Sequence, residues 1–391
     1  MKTFLLLTLI IIILMSSPAI YGEERKINII YTGALQGELE PCGCSPQSDF
    51  GGLARFSGFL NDHGESLSPY LLIDAGNFLA KDTPQGRLKA DAMLESFGIL
   101  EYDAIALLPD AEAVAEDFIV PLMEDYKVRT LSFRPGASQS ASIKKGPVDI
   151  NVSVDPVECP EGRVNILLTD HPVSAASGIK GWDVIITSSG EIVEEPVKID
   201  TTLITSGYPK GEKFGVLTLM VNTRGEVVQS RHEWIPLGNE IDEDQRVRGV
   251  LDRYDTKVAR YYRESVKPLP GTTYFGVYGC TECHQPFVES WEKTRHAQAF
   301  ASLEKVGKSS DPECIVCHSV GFGEKGGFFS LEATPGLANV QCEECHGLNR
   351  EHVSDFSAMR PVTETVCLKC HTKANSPEFN YPEYVIKINH N

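Results

Sequence analysis

The chain has 391 residues and carries 36 Lys and Arg against 54 Asp and Glu, a formal net charge of −18. That excess of acid excludes nucleic-acid recognition through a phosphate-neutralising patch, and a partner selected by charge should present a basic face. The length leaves room for two domains.

Read from the N-terminus, Lys2 precedes an apolar run from Phe4 to Met15, then the small residues Ser16-Ser17-Pro18-Ala19, with charge resuming at Glu23. This is the layout of a signal peptide over residues 1–22. The run is shorter than the roughly 20 apolar residues a membrane span needs. Cleavage near Ala19 or Gly22 is expected, which would deliver the chain to the periplasm or the cell exterior. An uncleaved segment would instead tie it to the membrane.

Residues 23–240 alternate short β-branched runs with helical patterns. Strands are expected at 27–31, 70–73, 164–169, 183–187 and 215–221, and helices at 87–97 and 111–126. That alternation indicates an α/β layered domain. Three cysteines, Cys42, Cys44 and Cys159, lie in this part. A bridge between residues two apart is strained, so one of the pair is expected to join Cys159 in an oxidising compartment. A C-x-C redox or metal site is the alternative. Over residues 241–270, Val247, Val250, Leu251, Tyr254, Val258 and Tyr262 fall at helical spacing, and Lys267-Pro268-Leu269-Pro270-Gly271 ends the pattern. A helix and linker are therefore expected there.

Residues 271–391 hold four copies of one pentapeptide: Cys280-Thr-Glu-Cys283-His284, Cys314-Ile-Val-Cys317-His318, Cys342-Glu-Glu-Cys345-His346 and Cys367-Leu-Lys-Cys370-His371. C-x-x-C-H is the attachment signature of c-type haem: both thiols bond the porphyrin and the adjoining imidazole reaches the iron. Structural zinc also uses C-x-x-C, but a His directly after every second Cys is not a zinc-ribbon spacing. Four covalently attached haems are expected, the porphyrins themselves forming the core of so short a domain. A helix over 285–303 would bring Trp291 and His296 near haem faces.

Beyond the four motif histidines the domain offers His296, His352 and His390 as second axial ligands. His352 follows His346 by six residues, at most about 20 Å of chain. It is therefore expected to serve a neighbouring haem. Three ligands for four irons leave one short, with Met359, or His63, His171 and His232 of the first domain, as conceivable sources. Bis-His irons are low-spin and carry electrons without binding substrate.

Two resemblances follow from these residues. Tyr31 to Pro41, then Gly51-Gly52-Leu53-Ala54-Arg55, then Asp74-Ala75-Gly76-Asn77, resemble the 5′-nucleotidase branch of the calcineurin-like metallophosphoesterases. That family implies a two-metal hydrolase fold. The ligand positions, however, hold Ala34, Gln36, Asn77, Pro109-Asp110, Ser189 and Glu191. Of the imidazoles only His171 remains, so no divalent metal is expected. From Tyr278 onward, the four motifs with Trp291, Arg295-His296-Ala297, Pro312, Gly321-Phe322, Val340-Gln341, Gly347 and Glu351-His352 resemble the cytochrome c-554 family of tetrahaem electron carriers. In that family the haem of the second motif is five-coordinate, which here is the one held through His318. The expected architecture is an α/β phosphoesterase-like domain followed by a mainly α and irregular multihaem domain. The expected function is electron transfer to and from redox partner proteins. A small-molecule redox enzyme at an open haem, and a haem-lined polymer built by a ligand such as His390 reaching another chain, remain alternatives.

Overall fold

A computed structural model describes residues 24–41, 46–110, 112–156, 159–271 and 273–388. The signal-like segment, Cys42, Cys44 and His390 lie outside the described residues. Six strands form one mixed sheet: β1 (Arg25–Thr32), β2 (Tyr70–Asp74), β3 (Ala104–Leu107), β4 (Thr130–Ser132), β11 (Lys213–Val221) and β12 (Val227–Pro236), in the order β12-β11-β1-β2-β3-β4. The other six, β5 (Ser140–Lys145), β6 (Val148–Ser153), β7 (Val164–Thr169), β8 (Val184–Thr187), β9 (Val197–Ile199) and β10 (Thr202–Ser206), form a second sheet ordered β5-β6-β7-β8-β10-β9.

The strand period of two sorts side chains between layers. Ile27, Ile29 and Tyr31 of β1 face Ile150, Ile166, Val184 and Ile186 of the other sheet and close an inter-sheet core. Ile30 points the other way, into a core roofed by α1 (Leu53–Leu67), α2 (Pro84–Leu100) and α3 (Glu116–Asp125). The far face of the second sheet packs Leu167, Ile185 and Ile204 against Trp182 and the short helix α4 (Val173–Ala176). The five expected strands and the 87–97 helix are all present. The 111–126 helix is shorter, because the chain at Ala113 bridges Lys81 and Val114 donates to the Ala80 carbonyl before α3 begins.

The periodic stretch after residue 241 is α5 (Gln245–Ser265). Asp244 caps it, accepting from the Arg246 N–H at 2.8 Å, the Ser57 hydroxyl at 2.7 Å and Asn61 at 3.0 Å. Val247, Val250, Leu251, Tyr254 and Val258 are buried in the core under α1 and α2, so α5 completes that layer. Gly58 admits it: a Cβ there would stand 1.8 Å from the Asp242 carbonyl oxygen.

The C-terminal part is short helices joined by irregular chain: α6 (Gly276–Trp291), α7 (Ala299–Lys305), α8 (Pro312–His318), α9 (Cys342–His346), α10 (His352–Asp355), α11 (Glu364–Cys367) and α12 (Tyr381–Ile388). The single helix expected over 285–303 is not formed. The chain kinks at His284 (φ −123°), two residues before Pro286, and ends its helix at Trp291. A 3-10 turn at Arg295–Gln298 then separates it from α7. The break is set by long-range bonds: the Trp291 indole donates to the Val340 carbonyl at 2.8 Å, and the Val340 N–H donates to the His296 carbonyl at 3.2 Å.

Candidate functional site

The second and third motifs sit on short helices, where residues i, i+3 and i+4 share a face. Cys314, Cys317 and His318 therefore project together from α8, and Cys342, Cys345 and His346 from α9. Cys280 and Cys283 lie on α6 with His284 at its kink. Cys367 closes α11, with Cys370 and His371 in the turn beyond it.

The motifs are drawn together across the domain. The thiols of Cys280 and Cys342 lie within hydrogen-bonding reach, which raises the pKa of Cys280 and lowers that of Cys342, and Cys370 and Cys317 are paired in the same way. Motif one thus adjoins motif three, and motif two adjoins motif four. The His352 ring stands 5.9 Å, centroid to centroid, from that of His284, with the planes 17° apart. His296 stands 6.2 Å from His371 at 51°. A metal held between two imidazoles by bonds of about 2.0–2.1 Å separates the ring centres by about 6 Å. Both pairs have that separation.

Second-nitrogen bonds aim the rings. His352 Nδ1 lies 2.6 Å from the Ser357 carbonyl oxygen, and His318 Nδ1 lies 2.6 Å from that of Ala299. Such a bond fixes the tautomer and leaves Nε2 for a metal. Burial lowers the pKa of His371, and burial with the neighbouring His371 and His318 lowers that of His296, which keeps both imidazoles neutral. His371 is further fixed by Phe379, stacked at 4.9 Å, and by the Tyr384 ring at 5.6 Å.

The packing suits a porphyrin. Beyond Glu343 no described side chain is buried, and Leu348, Val353, Phe356, Leu368 and Ile386 are exposed. Among the described residues, the apolar core of this part is one small cluster around Phe300, Leu303, Ile315, Val320 and Phe328. Thiol pairs, imidazole pairs and apolar side chains without a protein core form a donor set and a lining that fit covalently held haem.

In the first domain Ala34, Gln36, Asn77 and Ser188 come together. They do so at the C-terminal ends of β1, β2 and β8. The Asn77 amide donates to the Ser188 carbonyl at 3.1 Å, and the Ala34 and Gln36 N–H groups donate to the Gly76 and Asn77 carbonyls at 2.9 Å. Ala34, Gln36 and Asn77 all hold left-handed backbone, at φ 56°, 54° and 54°. Glu191 accepts the Val173 N–H at the start of α4, and His171 is exposed beside Asp170 at 3.4 Å. Among the described residues no group of three or more His, Cys, Asp or Glu side chains is arranged to hold a metal ion. Of the cysteines in the expected disulfide, Cys42 and Cys44 lie outside the described residues and Cys159 is described. It is a free thiol at the N-terminal edge of β7, packed near Trp182.

Residues that the sequence did not single out join the two parts. Lys308 Nζ lies 2.7 Å from Glu40 and 2.6 Å from Asp255; Arg248 also pairs with Glu40. Lys89 Nζ lies 2.7 Å from Glu313, and the Gln85 amide donates to Asp311 at 2.9 Å. These contacts seat residues 308–313, just ahead of the second motif, on α2 and α5. Nothing in their spacing marks them, because each partner is more than 50 residues from the other.

Residues 279–347 match the family described as cytochrome c554 and c-prime. The C-terminal part is similar to a c-type cytochrome over these residues. Cytochrome c-554 of Nitrosomonas europaea is 35% identical over 91 residues, covering 19% of this chain and 39% of that protein. Among solved structures, a 5′-nucleotidase precursor of Thermus thermophilus superposes with a TM-score of 0.53 at 15% identity, over 63% of this chain and 61% of that one. The calcineurin-like phosphoesterase YfkN of Bacillus subtilis gives 0.48 at 14%, over 62% and 100%. The chain thus spans less than two thirds of the cytochrome and of the nucleotidase. The nucleotidase likeness is one of fold, and it agrees with the two-sheet sandwich.

Proposed function

We propose that the protein is an exported, periplasmic or extracellular, tetrahaem electron-transfer protein whose first domain is a metal-free platform for the haem domain. The observation that carries this reading is the convergence of four C-x-x-C-H motifs with two imidazole pairs at metal-bridging separation, His284 with His352 and His296 with His371. The haems would supply one-electron chemistry. Cys280, Cys283, Cys314, Cys317, Cys342, Cys345, Cys367 and Cys370 would attach them, and His284, His318, His346 and His371 would ligate the irons from one side. His352 and His296 would ligate the first and fourth irons from the other side, and His390 would serve the third. Each distal ligand then comes from a different motif's neighbourhood, so ligation cross-links the domain. Adjacent thiol pairs would set haem one beside haem three and haem two beside haem four, close enough for electrons to pass between them. The mass of the intact protein, with a pyridine haemochrome assay, tests this: four haems are expected, and two or fewer in haem-competent cells would refute it.

A second reading rests on His318. Among the described residues no imidazole stands opposite its ring, so its iron would be the one able to bind a small molecule. Reduced protein titrated with nitric oxide should then show one binding haem in four.

A further inference from the structure

The spacer residues of the third motif, Glu343 and Glu344, do more than separate two cysteines. Glu343 is 6% exposed, and both its carboxylate oxygens accept from backbone at the start of α6. The Phe275 N–H reaches both at 3.1 Å and the Gly276 N–H reaches one at 2.8 Å. The next N–H, of Val277, donates to the side chain of Gln341, itself 4% exposed. Three successive donors at the head of the helix that carries the first motif are thus satisfied by Gln341, just ahead of the third motif, and by Glu343 within it. Glu344 reaches the other way and accepts the Gly321 N–H at 2.6 Å, three residues past the second motif.

A buried carboxylate is expensive unless it is paired, and here its partners are uncharged backbone donors. Backbone donors satisfy a carboxylate without supplying a countercharge. Glu343 follows Cys342 directly in the third motif and is bonded to the head of the helix that carries Cys280, so this charge lies beside both attachment sites. Reducing a haem adds an electron, so a fixed negative charge beside it opposes reduction and lowers the potential.

We propose that Glu343 is a positioning residue that locks the first haem's helix onto the third motif and whose charge lowers the reduction potential of the haems held there. This rests on the haem reading above. It assigns a role to a position that C-x-x-C-H leaves open.

The test is spectroelectrochemical titration of the intact, haem-loaded protein. E343Q keeps a carbonyl acceptor for the helix head and removes the charge. It should retain four haems and shift one or two potentials upward, with the others unmoved. E343D keeps the charge on a shorter arm. It should leave the potentials near wild type and weaken the magnetic coupling between haems in EPR. Unchanged potentials in E343Q, or E343D shifting them as far as E343Q does, would overturn the proposal. Haem content of the wild type reports separately on the underlying reading, so the two failures are distinguishable.

Discussion

The His352 ring lies 5.9 Å from that of His284 although 68 residues separate them in sequence. It is not paired with His346, its neighbour in the chain. The short helix α10 and the Nδ1 contact with the Ser357 carbonyl carry the imidazole back across the domain to the first motif. With iron held between the two rings, its coordination would be a tertiary contact.

It follows that H352A should leave haem attachment intact and change the spin state of one iron. Four haems per chain are expected by haemochrome assay, with one low-spin ferric EPR signal replaced by a high-spin one. H296A should do the same to the fourth haem, and its optical change should differ, because Phe379 and Tyr384 hold His371 in place. Loss of a whole haem from either variant would contradict the pairing.

Sequence made the haem chemistry legible because C-x-x-C-H is a covalent requirement that no packing accident substitutes. It also exposed strands whose apolar runs are buried on both faces, such as β7 and β8. It did not reveal β12, where Gln229, Arg231, His232 and Glu233 line an exposed edge strand, or the three-residue strands β4 and β9. For these, pairing with a neighbour outweighs local propensity. The Lys308 cluster left no trace in the sequence, since its partners lie 53 and 268 residues away.

That cluster should stabilise the joint between the two parts. Lys308 is held between Glu40 and Asp255, with each of the three side chains less than a third exposed. In K308M, Asp255 loses its cation while Glu40 keeps Arg248. Removing one partner of a largely buried ion pair costs about 2–4 kcal/mol. The expected result is a lower thermal midpoint, a protease-sensitive site near residues 266–271, and unchanged haem content. An unchanged midpoint would show that the joint is held by packing such as Tyr262 on Phe329.

Asp74 gives the first domain a pH dependence. It is fully buried, and burial pushes its carboxyl from 3.8 up to about 7 against the lowering effect of the Thr32 hydroxyl and the Gly76 N–H. The folded protein then holds a proton that the unfolded chain releases above about pH 4. This contribution to stability is present below pH 4 and is lost as the pH rises through about 7. D74N keeps an acceptor for Gly76 and abolishes the titration. Its denaturant midpoint should vary less between pH 4 and 7, and at pH 8 it should exceed wild type by about 2–4 kcal/mol.

The first domain should not hydrolyse phosphoesters. Ala34, Gln36 and Asn77 keep the left-handed backbone of the loops, and their side chains cannot form a cage for two divalent ions. Purified protein with manganese and nucleotide or bis-nitrophenyl phosphate should release no phosphate above a heat-treated control. Manganese-stimulated turnover that co-purifies with the haem spectrum would reverse this expectation.

The final prediction concerns His318. Its Nδ1 is engaged by the Ala299 carbonyl, which leaves Nε2 for iron. The first-domain histidines considered for the opposite face are occupied where they stand. His63 stacks on Phe59 at 4.4 Å, His232 hydrogen-bonds Tyr31 at 2.9 Å, and His171 lies beside Asp170. His296 and His352 face other motifs. The second haem should therefore be the high-spin one in the resting protein, and it should bind cyanide when oxidised and nitric oxide when reduced. H318A should abolish that signal and leave the low-spin signals of the other haems in place. If every iron is low-spin in the wild type, M359L will show whether Met359 supplies the missing ligand, and the small-molecule reading falls.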